Sequence, residues 1–364
     1  MYKFVIATGG TGGHIFPALV LLNKLKRKGH KSLIVADNRF LNFKDQIPKD
    51  ANYKIICTGS LVGNIFAKLL TLIKIILGIF QALLILYRYK PNMVLSFGGY
   101  ISFPTMVAAV ILRIPLLIHE QNSVIGKANR ILLKWTDLIS ISFEKTKGLG
   151  KVNKDKVFVT GNPVKDEIIK IRNKAYPVIK PNKKIKILVL GGSQGARILS
   201  KVVPDAILAL DDQLKKHIEI FQQCRKKDIR KVQDKYNKHE IKATTATFFN
   251  DVPQKLAVSN LVICRSGAST VSELIAAGRP AIFVPLAIAA DHHQFFNAKA
   301  MSDKNAAWII EEKEFNCFNL SRLLNKLLGE PKLLFKAATN IESLFIDSGN
   351  KLLHLIEKFC ATTK

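Results

Sequence analysis

Short apolar runs alternate with longer stretches of helical period along most of this chain. The runs in the first half are Phe4–Ala7, Ser32–Val35, Tyr53–Cys57, Met93–Ser96, Leu116–His119, Leu138–Ser142 and Val157–Thr160. In the second half they are Ile185–Leu190, Ile218–Gln222, Thr245–Phe249, Leu261–Cys264 and Ala281–Val284. Unalternated apolar runs separated by amphipathic stretches predict buried strands joined by helices, hence an α/β protein with parallel sheets covered on both faces. Gly161-Asn162-Pro163-Val164 predicts a hinge, because glycine admits unusual dihedrals and proline drives Asn162 out of helix. The polar stretch Lys180-Pro181-Asn182-Lys183-Lys184 then leads into the second half. From Ser348 a terminal amphipathic helix is expected, with Leu352, Leu353, Ile356 and Phe359 on one face.

Ile65–Leu86 stands apart, being nearly all apolar and long enough to span a bilayer at about 20 residues. Lys68, Thr71, Lys74, Gly78, Gln81 and Arg88 form one polar line along such a helix. A lysine at mid-bilayer costs about 2.5–3.5 kcal/mol, which disfavours spanning. A helix lying in the membrane interface and an ordinary core helix both fit the pattern.

Length and composition narrow the picture. The 364 residues fit about two domains at roughly 150 residues each. An apolar share of 48% supplies two cores and argues against disorder. Lys and Arg number 56 against 27 Asp and Glu, a formal charge of +29 that suits nucleic acid, an anionic membrane or an anionic substrate without choosing among them. Cys57, Cys224, Cys264, Cys317 and Cys360 are scattered and odd in number, which predicts reduced thiols rather than a disulfide frame or a zinc site. The apolar run at the N-terminus is too short for the core of a signal peptide.

Candidate chemistry lies in the loops after the apolar runs. Thr8-Gly9-Gly10-Thr11-Gly12-Gly13-His14 follows Phe4–Ala7, and Gly191-Gly192-Ser193-Gln194-Gly195-Ala196 follows Ile185–Leu190. Glycines there let a ligand approach backbone amides at a helix N-terminus, which suits phosphate. Their matching places suggest two similar halves sharing a cleft. Neither loop is a Walker P-loop, which ends in Gly-Lys-Ser/Thr, and neither keeps the full G-x-G-x-x-G dinucleotide fingerprint. A helix N-terminus disfavours imidazolium, so His14 is placed either as a general base or as a group bonding its own loop. A third loop, Cys264-Arg265-Ser266-Gly267-Ala268-Ser269-Thr270-Val271-Ser272-Glu273, opens another helix N-terminus that could receive a diphosphate. Glu273 is then either a carboxylate for two ribose hydroxyls or a plain helix charge. His119-Glu120-Gln121-Asn122 opens a polar loop after a strand. Adjacent His292 and His293 cannot readily face one ion, and no HExxH is present, so no metal site is expected.

Together these stretches resemble the MurG-type N-acetylglucosaminyltransferases of peptidoglycan synthesis, which belong to the GT-B glycosyltransferases. The resemblance rests on Gly9 through Ala18, Phe97-Gly98-Gly99-Tyr100, His119 through Asn122, Gly161 through Val164, Gly191 through Ala196, Arg265 through Glu273, and Asp291 through Ala298, in family order over most of the chain. It implies a GT-B fold of two Rossmann-like domains whose parallel sheets flank a deep cleft. The first would be 1–164, with the terminal helix of about 348–360 packing back on it, and would take the acceptor and the membrane. The second, 165–347, would bind UDP-GlcNAc. The implied reaction moves GlcNAc, with inversion, onto the muramyl C4 hydroxyl of undecaprenyl-linked lipid I to give lipid II, a step of cell-wall biogenesis that serves cell shape and division.

Carried over by position, Thr11, Gly12, Gly13, Asn122, Ser193 and Gln294 line the donor site. Ala268, Ser269, Thr270, Val271, Ser272 and Glu273 hold diphosphate and ribose, Phe249 lies near uracil, and His14 is the favoured base. Lys165 stands where an arginine is common and keeps the charge without the bidentate fork. No cofactor is expected, because helix dipoles and backbone amides can receive the charge on departing UDP. A lipid-embedded acceptor would place the enzyme on the cytoplasmic face of the bacterial inner membrane, held by Ile65–Leu86 and basic residues, with no nucleic-acid partner. The alternatives are a related GT-B transferase acting on another lipid and a UDP-GlcNAc epimerase.

Overall fold

Apolar strands without alternation need cover on both faces, and each sheet of this chain has it. The computed structural model describes residues 1–59, 64–192 and 195–362. The chain divides into two compact units: Met1–Val164 with Ile346–Lys364, and Lys165–Phe345.

In the first unit β1 (Lys3–Ala7), β2 (Lys31–Ala36), β3 (Tyr53–Ile55), β4 (Met93–Ser96), β5 (Leu116–Glu120), β6 (Leu138–Ile141) and β7 (Val157–Val159) form a parallel sheet ordered β3-β2-β1-β4-β5-β6-β7. Val5 sits opposite Leu33 on one side and Val94 on the other. Successive residues of β1 serve opposite faces. Phe4 and Ile6 pack with Ile15, Leu19 and Leu22 of helix α1 (Gly12–Arg27) and with Leu352, Leu353 and Ile356 of the terminal helix Ser348–Thr362. Val5 packs on the other face, with Ala82 and Leu86 of α2 (Ile65–Tyr89) and Met106 and Ala109 of α3 (Ser102–Ile111). The terminal helix therefore completes the first unit's core.

The second unit repeats the plan. β8 (Ile185–Leu190), β9 (Ile218–Gln223), β10 (Lys242–Ala246), β11 (Leu261–Cys264), β12 (Ala281–Phe283) and β13 (Ala307–Ile309) make a parallel sheet ordered β10-β9-β8-β11-β12-β13. In both sheets the chain starts in the middle, builds outward to one edge, then returns to the other side of its first strand. This reversal falls between β1 and β4 and between β8 and β11. The crevice outside the carboxyl ends of strands at such a point is where sheets of this kind take ligands. Both glycine-rich loops and the Arg265–Gly267 turn leave strands there.

Two elements differ from the sequence reading. The expected strand Thr245–Phe249 is β10, Lys242–Ala246, three residues earlier. It is a half-exposed edge strand of Ala and Thr, and the Phe248-Phe249 pair that drew the apolar window lies in the loop beyond it. β13 was not expected; three residues at a sheet edge leave too short a pattern.

α2 buries only a narrow stripe, and Lys68, Lys74, Gln81 and Arg88 of its polar line stay exposed. Asn64 caps it, its side chain accepting from Ala67 N at 2.9 Å. Ile75, Gly78, Ala82 and Leu86 are the buried positions. Gly78 lies so close to the Cys57 carbonyl that a Cβ would overlap it, and Gln81 Oε1 accepts from Cys57 N at 2.7 Å. Apart from those polar residues the remaining circumference is apolar and open: Leu69, Leu72, Ile73, Ile76, Leu77, Phe80 (62% exposed) and Leu84 (59%) all face out. The ordinary-core expectation for this helix does not hold.

Candidate active site

In the first unit the site is built around His14, at the third position of α1. Thr11, in extended conformation, precedes the helix, and its carbonyl accepts from His14 N and Ile15 N. Gly12 is buried, Gly13 and His14 are partly buried, and Thr11 is exposed. The imidazole lies along the loop after β4. Gly98 and Gly99 have φ of +80° and +82°, and a Cβ on either would stand at ordinary van der Waals distance from the ring (3.7 Å from Cε1, 3.5 Å from Cδ2). Glycine there supplies the left-handed turn that lays the loop along the ring. His14 Nδ1 is 2.8 Å from Phe97 O and 3.1 Å from Gln121 Oε1.

The His119–Asn122 segment proves to be a buried polar network. His119 is fully buried, its ring stacked on Phe97 at 5.1 Å, and its Nε2 donates to Gly161 O at 3.0 Å. Burial lowers its pKa to about 4; the Gly161 hydrogen bond opposes the shift and nearby His14 adds to it. Glu120, only 2% exposed, collects four donors: Asn122 N and Nδ2, Gly126 N, and Asn129 Nδ2, at 2.8–3.2 Å. A buried carboxylate so surrounded fixes the loop that carries Asn122. Sequence reasoning assigned Asn122 a role but none to Glu120 or Gln121. The available signal was three polar residues ending an apolar strand.

In the second unit Gly191 comes within van der Waals overlap of Gly195 and Ala196 were it to carry a Cβ, so the loop closes tightly on itself. Gln223, at the end of β9, clamps it: Oε1 accepts from Gly191 N, while Nε2 donates to Gly192 O and Thr247 O at 3.0–3.1 Å. Ser193 and Gln194 lie outside the described residues. The helix Ala268–Ala277 opens behind Gly267, with Ala268, Val271 and Ser272 buried and Ser269 and Thr270 partly so. Burial raises the Glu273 carboxyl to about 7, and the charge of Lys165 opposes that shift. Arg265 holds the following loop, donating to Val284 O, Pro285 O and Glu312 Oε1, while Glu312 Oε2 accepts from Ala287 N. Gln294 Oε1 accepts from Leu286 N in the same loop, and Asn297 Nδ2 donates to Ser266 O. Phe249 is buried beneath Lys255 Nζ, 4.6 Å from its centroid; the exposed ring there is Phe248. Among the described residues no three His, Cys, Asp or Glu side chains gather as metal ligands would.

Residues 4–141 match the glycosyltransferase family 28 N-terminal domain, and residues 186–353 match the family 28 C-terminal domain. The chain belongs to glycosyltransferase family 28. Other family 28 members are similar over nearly their whole length. A relative from Zymomonas mobilis is 39% identical over 98% of this chain and 92% of its own, and one from Rickettsia canadensis is 36% identical over 98% and 99%. Both are named UDP-N-acetylglucosamine–N-acetylmuramyl-(pentapeptide) pyrophosphoryl-undecaprenol N-acetylglucosamine transferase. The crystal structure of Acinetobacter baumannii MurG superposes with a TM-score of 0.79 at 29% identity, covering 98% of this chain and 99% of that one. A UDP-GlcNAc 2-epimerase from Neisseria meningitidis reaches 0.69 at 18% identity over 100% of both chains, which shows a shared fold alone. The fold is that of the GT-B glycosyltransferases, two Rossmann-like units, and the protein is a glycosyltransferase.

Proposed function

We propose that this family 28 enzyme transfers GlcNAc from UDP-GlcNAc to the muramyl C4 hydroxyl of lipid I, with inversion, giving lipid II. The observation that carries this is the 39% identity, over 98% of the chain, to a transferase of that name. The site geometry supports each part. The helix Ala268–Ala277 offers its first N–H groups to the donor diphosphate, with Ala268, Ser269 and Thr270 nearest its start. Glu273, one turn further on, accepts from the two ribose hydroxyls, with Val271 and Ser272 shaping the backbone between. With the Phe249 ring buried, that residue offers uracil its main chain. Lys165 supplies positive charge beside Glu273. Gln294 and Ser193 attend the donor in the second unit, and Thr11, Gly12, Gly13 and Asn122 lie with His14 in the first.

The transfer is a direct displacement. The acceptor C4 hydroxyl attacks the anomeric carbon, the bond to the UDP oxygen breaks, and the hydroxyl proton passes to His14 Nε2. Charge developing on UDP is received by helix N–H groups already oriented toward it. The acceptor's lipid chain would sit in the cytoplasmic face of the inner membrane. The outward apolar face of α2 suits that surface, with Lys68, Lys74 and Arg88 exposed on the same helix; each basic residue adds about 1 kcal/mol near anionic lipid. The test is UDP release from UDP-GlcNAc with and without a short-chain lipid I analogue. Release that requires the analogue supports the proposal; release without it, or none with it, refutes it.

A further inference from the structure

The donors and acceptors around His14 leave little freedom in how its protons are placed. Gln121 is 1% exposed, and its amide reaches four groups. One end lies 2.9 Å from Phe97 O and 3.3 Å from His119 O, both of which only accept, so that end is the NH2. The same nitrogen is 3.1 Å from His119 Nδ1. His119 Nε2 faces Gly161 O, which also only accepts, so the His119 proton is on Nε2 and its Nδ1 has a lone pair for Gln121. Burial keeps His119 neutral, which preserves that lone pair. The amide orientation leaves Gln121 Oε1 facing His14 Nδ1 at 3.1 Å, beside Phe97 O at 2.8 Å. Two acceptors on one ring nitrogen require the proton to be there.

We infer that Gln121 is a positioning residue that, together with Phe97 O, fixes His14 as the Nδ1–H tautomer, leaving the Nε2 lone pair turned away from the network. The order is Gly161 O, His119, Gln121, His14, with Phe97 O fixing the same orientations from the side. Phe97 O anchors the middle by accepting from both His14 Nδ1 and Gln121 Nε2. Free histidine favours the Nε2–H tautomer, which could not accept a proton at Nε2; the ring needs a holder to serve as base there. The Gly161 end lies three residues before Val164, where the first unit ends, so the chain of bonds runs from the end of that unit to the ring. This inference rests on the proposed role of His14 as the base, and the experiment separates the two.

Histidine 15N shifts of the full-length enzyme, recorded where the ring is neutral, report the tautomer directly. In the wild-type protein His14 is expected to be protonated on Nδ1 and His119 on Nε2; His14 protonated on Nε2 overturns the inference. Gln121→Met keeps the volume and removes both hydrogen-bonding ends. With Phe97 O still accepting from Nδ1, this variant should move part of the His14 population to the Nε2–H tautomer and lower kcat about 10-fold or more while leaving the UDP-GlcNAc KM within about twofold. A pure Nδ1–H tautomer with unchanged kcat overturns the inference. Gln121→Glu puts a carboxylate against Nδ1, stabilises the imidazolium, and should move the acid limb of the kcat/KM profile to higher pH by about one pH unit or more; an unmoved limb, where His14→Ala abolishes turnover, overturns it, and this arm stands even if the Met variant misfolds. If the tautomers respond as expected but His14→Ala retains full turnover, the positioning of His14 stands and its role as base falls.

Discussion

Glu273→Gln separates binding chemistry from structural charge, because the two predict opposite signs. The carboxyl is held at about 7 against an ordinary value near 4.5, chiefly by burial and partly relieved by Lys165. Such a raised pKa means the folded protein binds the proton more tightly than the unfolded chain between those limits. The penalty on the fold is therefore absent below pH 4.5, grows between 4.5 and 7, and is complete above 7. The difference corresponds to about 3 kcal/mol against the ionised form, and roughly 2 kcal/mol after discounting the side chain's partial exposure. Glutamine removes the charge at nearly constant shape. Above pH 7 the variant should melt about 4–8 °C higher than wild type in the transition that reports the second unit, with the gain vanishing toward pH 4.5. Donor affinity should move the other way. Two ribose hydroxyls donating to a carboxylate are worth about 1.5–3 kcal/mol, so the UDP-GlcNAc Kd should rise roughly 10–100-fold. Donor binding to wild type should also strengthen as pH rises through 7 and release protons below it. Calorimetric titration in two buffers of different ionisation heat, with melts across pH 4–9, measures all of this. Unchanged Kd refutes the ribose assignment, and a lower melting temperature above pH 7 refutes the burial argument.

Other variants test other parts. His14→Ala should lower kcat about 10²–10⁴-fold with donor Kd nearly unchanged, checked by single-turnover transfer; near-normal turnover removes it as base. Leu72→Ser with Ile76→Ser and Phe80→Ser should leave the melting temperature close to wild type, since all three side chains are exposed, yet strip the enzyme from anionic vesicles at about 1.5–3 kcal/mol per side chain. Unchanged flotation moves the membrane contact elsewhere. Raised salt should weaken the same binding through screening. Arg279 is 1% exposed and donates to Leu256 O, Ala257 O, Ala277 O and Gly278 O, the carbonyls at two helix ends. Arg279→Met should leave these unpaired and destabilise the second unit by about 1–3 kcal/mol or more, read by urea titration, and a stable variant would show that water replaces the guanidinium.

The sheet strands were legible because burial on both faces writes an unbroken apolar run into sequence; Met93–Ser96 and Leu261–Cys264 begin and end where the runs do. The edge strands β3 and β7 were legible too, but those of the second sheet carry no such mark. β10 is Ala and Thr, and the eye moves to Phe248-Phe249, where the aromatic pair belongs to a loop. The polar line on α2 was visible, but the face the helix buries was not: Gly78 packs against the Cys57 backbone and Gln81 accepts from it, so Ile75, Gly78, Ala82 and Leu86 are buried while Lys68, Lys74 and Phe80 stay exposed. Glycine loops announced the switch points since close backbone approach permits little else. Gln121 and Gln223 went unread because their work is to join segments distant in sequence, and a lone amide at a strand end has no local pattern.

The central claim is transfer of GlcNAc to lipid I, and the product itself tests it most directly. Full-length enzyme incubated with UDP-GlcNAc and a short-chain lipid I analogue should give an acceptor heavier by one N-acetylhexosamine, with proton NMR showing a β linkage to the muramyl C4 oxygen. An unchanged acceptor beside C2-epimerised UDP sugar, or an α linkage, would contradict the account.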